Sequence, residues 1–227
     1  MSATPHPHFN DPAHSYLGNE LVKRAGVAQS FTEYEQQEYL RCMTSPSYFA
    51  KKYVKIISLD KGLVPFDLWP YQGKMYDHFE QNRFSIVLAP RQSGKSISVV
   101  AYLLWYACFH PDKSVAILAN KGATSREMLS RITLALENMP FFLQPGCRVL
   151  NKGSISFDNN STVFAAATSG SSIRGRSVAL LYLDEFAFVQ NAEEFYTSTY
   201  PVVTSGTTTR VIITSTPKGV EIGRAHV

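Results

Sequence analysis

Ala89-Pro90-Arg91-Gln92-Ser93-Gly94-Lys95-Ser96 is the stretch that decides how this chain folds. An apolar run from Phe84 to Leu88 precedes it, and a second from Ile97 to Tyr106 follows. These read as strand, tight loop and helix, with Gly94-Lys95-Ser96 at the helix start. In that arrangement successive backbone N–H groups point into the loop, and the helix N-terminus adds partial positive charge. Lys95 then reaches the β- and γ-phosphates of a nucleoside triphosphate such as ATP, and the Ser96 hydroxyl holds Mg²⁺. Ala89 stands where the pattern usually carries glycine, a departure that matters only if the position needs positive φ. Arg91 has two readings. It lies near the γ-phosphate and neutralises charge in the transition state, or it is a solvated surface arginine.

A further apolar run, Val178 to Leu183, ends in Asp184-Glu185 and gives a second strand. A continuous run of this kind reads as a strand buried on both faces of a parallel sheet. Ligands of open α/β sheets bind at the carboxyl ends of strands, where these two acids fall. Alone, the pair could cap a helix. Beside the phosphate loop, Asp184 reads as the Mg²⁺ carboxylate and Glu185 as the group that orients and deprotonates the attacking water. Arg210 to Pro217 is a third strand ending in hydroxyls, Thr214, Ser215 and Thr216. They either sense the γ-phosphate or close the strand before proline. Ser114 to Asn120 is a fourth strand, with a helix expected over about residues 125–139. Ser154-Ile-Ser-Phe157 and Ser161-Thr-Val-Phe-Ala165 flank Asp158-Asn-Asn160, the spacing of a hairpin.

The order Trp69-Pro-Tyr71-Gln72, the arginine-containing phosphate loop, Ser172-Ile-Arg174-Gly175, Leu183-Asp184-Glu185 and Thr214-Ser-Thr-Pro217 resembles the ATPase domain of the large terminase subunit of tailed bacteriophages. The resemblance covers residues 45–220 approximately. It implies an α/β P-loop NTPase fold of the RecA-like kind, with a mainly parallel central sheet flanked by helices and a short helical N-terminal extension. It also implies an ATP-hydrolysing motor that moves double-stranded DNA into the procapsid. Tyr71 and Gln72 would contact adenine, although Tyr71 could equally be an ordinary buried aromatic. Ala89, Pro90, Gln92, Ser93 and Gly94 would line the nucleotide with Lys95 and Ser96. Arg91 would act in cis on the phosphates, Asp184 and Glu185 would be the metal and catalytic carboxylates, and Thr214 to Thr216 would couple hydrolysis to DNA movement. Arg174 and Arg176 could touch phosphate, of nucleotide or DNA, or be a solvated turn. The implied partners are DNA, the portal protein, the small terminase subunit and further copies in a ring, in the cytoplasm of the infected bacterium. A nuclease domain is expected downstream. A superfamily-2-type helicase or remodelling ATPase, or a non-motor nucleotide-dependent regulatory module, uses some of the same motifs.

With 227 residues, one α/β domain with an N-terminal extension is the natural division, and 44% hydrophobic content supports a sizeable core. Net charge of +4 permits DNA contact without demanding it. There is no apolar run of membrane-spanning length, and the polar start Met1 to His6 lacks a secretory pattern. Cys42, Cys108 and Cys147, widely spaced and odd in number, fit thiols better than disulfides or a metal site. Residues 1–28 read as a disordered tail and 29–60 as a helical extension packing on the core. Within the extension, Ser30-Phe-Thr-Glu33 is a capping-box pattern for a helix to about Cys42. A second helix spans Pro46 to Val54, its Tyr48, Phe49 and Tyr53 expected on the core near the nucleotide. Residues 61–220 are the ATPase domain, and Glu221 to Val227 reads as non-native, because it back-translates into a sequence resembling a common sequencing adapter.

Overall fold

The computed structural model describes residues 13–168, 173, 175–189, 193, 195–197, 199, 201 and 206–217. The chain opens with two short antiparallel strands, β1 (Ser15–Tyr16) and β2 (Asn19–Lys23). Helices α1 (Glu33–Thr44) and α2 (Pro46–Tyr53) follow, then a hairpin of β3 (Lys55–Ser58) and β4 (Gly62–Pro65). Next come α3 (Pro70–Gln81), β5 (Phe84–Leu88), α4 (Lys95–Phe109), β6 (Ser114–Ala119) and α5 (Gly122–Glu137). Three further strands are β7 (Cys147–Leu150), β8 (Ser154–Phe157) and β9 (Thr162–Ala167). The last two are β10 (Leu180–Asp184) and β11 (Arg210–Ser215).

Among the described residues seven strands form one sheet in the order β5-β11-β10-β6-β9-β8-β7. The first five are mutually parallel, β8 runs antiparallel to β9, and β7 runs antiparallel to β8. The expected hairpin is therefore present, with its second strand also joining the parallel sheet. Register places Asp184 beside Thr214 and Ala119, and Ser215 beside Leu88. The carboxyl ends of four strands thus form one row, from which the loop after Leu88 departs.

Both faces of this sheet are covered, as a parallel sheet requires. Along β10 side chains alternate. Leu180 and Tyr182 enter one core with the helices, and Leu181 and Leu183 enter the other with Phe186, Val189 and Phe195. Helix α4 is apolar nearly all round, and only Ser96 and Ile97 are not buried. That is the composition of a central helix rather than a surface one. Its Tyr102, Leu103, Leu104 and Trp105 fill the core between α2, α3 and the sheet. The edge strand β5 is less well covered, with Phe84, Ile86 and Leu88 partly exposed.

The N-terminal region departs from the sequence reading. From Ala13 onward it is ordered: Val22 is fully buried, and Gln144 ties the hairpin down. The Gln144 side chain accepts from the Lys23 N–H at 2.9 Å and donates to the Leu21, Leu136 and Met139 carbonyls. The α1 cap is Thr32, not Ser30. The Thr32 hydroxyl accepts from Glu35 N–H at 3.2 Å, and Glu35 accepts from Thr32 N–H at 2.8 Å. The pattern recurs two residues later, and it is there that both reciprocal bonds form, at the head of a helix that buries Glu35, Glu38 and Cys42. The α2 aromatics pack away from the phosphate loop. Phe49 meets Phe109 at the C-terminal end of α4, and Tyr53 meets Phe142. Tyr48 and Tyr53 instead hydrogen-bond the buried Glu38, which also pairs with Lys52. The β3–β4 hairpin straddles the expected boundary at residue 60. Residues 1–12 of the expected tail and all of 221–227 lie outside the described residues, as does Arg174.

Candidate active site

The phosphate loop carries two left-handed residues, Gln92 (φ 60°) and Gly94 (φ 80°). Gly94 is required there twice over, because a Cβ would also lie 2.7 Å from Gln72 Nε2. Ala89 has negative φ, so replacing glycine at that position carries no backbone penalty. Gly94 is also the N-cap of α4 and brings no capping side chain, so its own residue does not compete for the first-turn N–H groups. Pro90, Arg91 and Gln92 are exposed, while Lys95 is buried.

Lys95 Nζ meets Glu185 Oε1 at 2.8 Å. The other carboxylate oxygen accepts from the Thr216 N–H at 2.8 Å and the Thr216 hydroxyl at 2.9 Å. Burial alone would raise the Glu185 pKa, but the Lys95 ammonium and the two Thr216 donors hold it below the usual carboxylate range. Glu185 itself sits at φ 48°, an uncommon backbone for a side-chain-bearing residue. Such outliers cluster at functional sites.

Asp184 is held differently. Its Oδ1 accepts from Tyr182 OH at 2.8 Å and Thr214 Oγ1 at 2.9 Å, with Ser96 Oγ at 3.4 Å. The two donors are themselves 2.8 Å apart. Burial, and then the Asp184 charge, push the Tyr182 phenol far above its ordinary pKa, so it stays a neutral donor. Tyr182 was not among the residues the motifs singled out. Its signal was the period-2 alternation of a strand, which puts residues two apart on the same face. Ser215 Oγ accepts from Ala187 N–H at 3.2 Å, linking β11 to the segment after Glu185.

Tyr71 and Gln72 lie against the same loop. The Tyr71 hydroxyl donates to the Ser93 carbonyl, and Gln72 Nε2 donates to the Gly94 carbonyl at 3.3 Å. Arg91 makes no hydrogen bond or ion pair with any described residue. Arg176 does not join the cluster. Its guanidinium lies 4.6 Å from the Phe164 ring centroid, at the amino ends of the strands, beside a cavity of about 670 Å³ lined by Asp112, Ser114 and Thr209.

A loop that departs from β5, with two acids at the end of β10 one strand away across β11, is the arrangement of a P-loop NTPase. Residues 86–221 match the family described as the terminase large subunit, T4likevirus-type, N-terminal. The chain belongs to this terminase family. The match spans more than half the chain and includes the phosphate loop from Ala89, both acids and the β11 hydroxyls. Solved structures agree in fold. The large terminase of bacteriophage HK97 superposes with a TM-score of 0.63 at 18% identity, over 76% of this chain and 37% of that one. A mutant of the large terminase ATPase domain of Thermus phage P74-26 gives 0.50 at 17%, over 68% and 67%. The large terminase of a thermophilic bacteriophage in complex with ADP gives 0.51 at 14%, over 66% and 39%. At these identities the likeness establishes the fold, that of terminase ATPase domains. The chain spans little more than a third of the HK97 protein's length. Among the described residues no helix is long and apolar enough to cross a membrane.

Proposed function

We propose that this chain is the ATP-hydrolysing motor domain of a viral large terminase and that it drives double-stranded DNA into a procapsid. One observation carries the reading. Lys95 meets Glu185 at 2.8 Å and Ser96 meets Asp184 at 3.4 Å, which brings the loop and both strand-end acids into one site. Ser93 Oγ supports an anionic occupant, because it is buried in the loop with no hydrogen-bond partner among the described residues. The ADP complex of a thermophilic phage terminase supports the same choice of ligand for this chain.

Ser96 Oγ and the Asp184 carboxylate fit Mg²⁺, a hard cation that takes oxygen donors and keeps several waters. Bound there, the ion would neutralise developing phosphate charge. The remaining steps belong to the chain. Lys95 exchanges its contact with Glu185 for the β- and γ-phosphate oxygens. Glu185, still oriented by Thr216, then accepts a proton from the attacking water. Arg91, exposed at the loop crown, is free to turn onto the γ-phosphate. Tyr182, Thr214 and Thr216 connect both acids to β11, so a change at the phosphates reaches the segment beyond it, the expected route of coupling to DNA. The portal protein, the small terminase subunit and a ring of copies are the partners such a motor requires, and a nuclease domain is expected in the longer protein.

ATP turnover measured with and without linear double-stranded DNA tests the reading. DNA should raise the rate. Turnover indifferent to DNA at all concentrations would overturn the motor assignment.

A further inference from the structure

Asp184 is gripped by one oxygen only. Its Oδ1 accepts from the Tyr182 hydroxyl at 2.8 Å and the Thr214 hydroxyl at 2.9 Å, and Ser96 Oγ stands 3.4 Å from the same atom. Oδ2 takes no hydrogen bond from any described residue, and it is not shut off from solvent as Ser85 Oγ and Ser93 Oγ are. Tyr182 and Thr214 carry one hydroxyl hydrogen each and also lie 2.8 Å from one another, so two hydrogens are shared among three contacts. A carboxylate is the stronger acceptor, which directs both hydrogens to Oδ1 and fills its two lone pairs.

The sheet makes this grip rigid. Tyr182 precedes Asp184 by two residues on β10 and so shares its face, and Thr214 is the register neighbour of Asp184 on β11. Both donors are fully buried. Turning the carboxylate to bring Oδ1 round would break two buried hydrogen bonds. A carboxylate held in this way offers a cation one oxygen instead of two. That suits Mg²⁺, which is small, octahedral and keeps several waters. It does not suit Ca²⁺, which is larger, takes more oxygens and readily takes both from one carboxylate.

We propose that Tyr182, together with Thr214, is a positioning residue that sets which cation the nucleotide site accepts, by reserving Oδ1 of Asp184 and leaving Oδ2 alone to the ion. The proposal rests on the nucleotide-site reading above and deepens it. Tyr182 acts through Asp184 and not on the nucleotide, so its signature is ion preference and not affinity as such.

Calorimetry with AMP-PNP, a non-hydrolysable ATP analogue, separates this role from a packing role. Affinity is measured with Mg²⁺, with Ca²⁺ and with EDTA on the wild type, Tyr182→Phe, Thr214→Val and Thr214→Ser. The wild type should prefer Mg²⁺ over Ca²⁺ by about tenfold or more. Tyr182→Phe and Thr214→Val each remove one hydroxyl from Oδ1 and keep the buried shape. Each should bring the two ions close to parity, a loss of preference of about tenfold, as expected when a partner that orients a metal ligand is removed. Thr214→Ser keeps the hydroxyl and should keep the preference. Affinity in EDTA should be the same in all four proteins. Equal losses with Mg²⁺, Ca²⁺ and EDTA would reduce Tyr182 to a packing residue and overturn the proposal. So would an unchanged Mg²⁺ preference in Tyr182→Phe and Thr214→Val, or a wild type that does not discriminate between the ions. A wild type that binds AMP-PNP under none of the three conditions would instead sink the nucleotide-site reading itself.

Discussion

Glu185 shows how much one residue is asked to hold. Its backbone is left-handed, a conformation that costs on the order of 1–3 kcal/mol for a residue with a side chain. In return its carboxylate is fixed between Lys95 and Thr216. The lowered pKa makes this arrangement pH-dependent. A carboxyl held below its ordinary value of 4.5 stabilises the fold above that value, and the contribution is lost as pH falls through the lowered one. Thermal melts of wild type and Glu185→Gln should differ at neutral pH and converge in acid, whereas a gap that does not narrow would contradict the ion pair. Arg91→Ala should reduce turnover by roughly 10³-fold or more while nucleotide affinity is largely kept. Equal kinetics would return Arg91 to a surface role. The loop and the two acids were legible because each stands at a strand end with a recognisable neighbour. Tyr182 was hidden in an apolar run, and the bond from Gln72 to Gly94 joins residues 22 positions apart, one in α3 and the other at the N-cap of α4, which no local pattern encodes.

At the scale of elements, the sequence was most readable where one rule acted alone. The buried parallel strands are continuous apolar runs, and α4 is apolar on every side, so length and periodicity sufficed. Where two patterns overlapped, the sequence alone did not choose. Ser30 and Thr32 each offer a capping box, and the helix takes Thr32, where both reciprocal bonds with Glu35 are present. Thr32→Ala should therefore cost about 1 kcal/mol in urea denaturation, and Ser30→Ala close to nothing. The reverse order would contradict the observed cap. The short strands β1 to β4 were missed for a different reason. The first pair is held by Gln144, more than a hundred residues away, and such contacts outweigh local preference. The same holds for the α2 aromatics, which answer to Phe109, Phe142 and Glu38 rather than to the nearer motif.

The whole molecule is organised around one row of strand ends. Register brings Val87, Thr214, Asp184 and Ala119 level, so the acids, the hydroxyls and the phosphate loop are presented at the ends of a rigid sheet with α4 packed against it. Preorganisation of this kind favours chemistry at the phosphates over grip on the rest of the ligand. Arg176 and its cavity lie at the other end of the strands, so any contact they make with nucleic acid is separate from hydrolysis. The central claim is that Glu185 converts a bound triphosphate. Single-turnover hydrolysis of ATP, with protein in excess and Mg²⁺ present, tests it most directly in wild type and Glu185→Gln. Both proteins should bind ATP, the wild type should release phosphate, and the variant should be slower by about 10²-fold or more. Phosphate release at equal rates from the two would contradict the account.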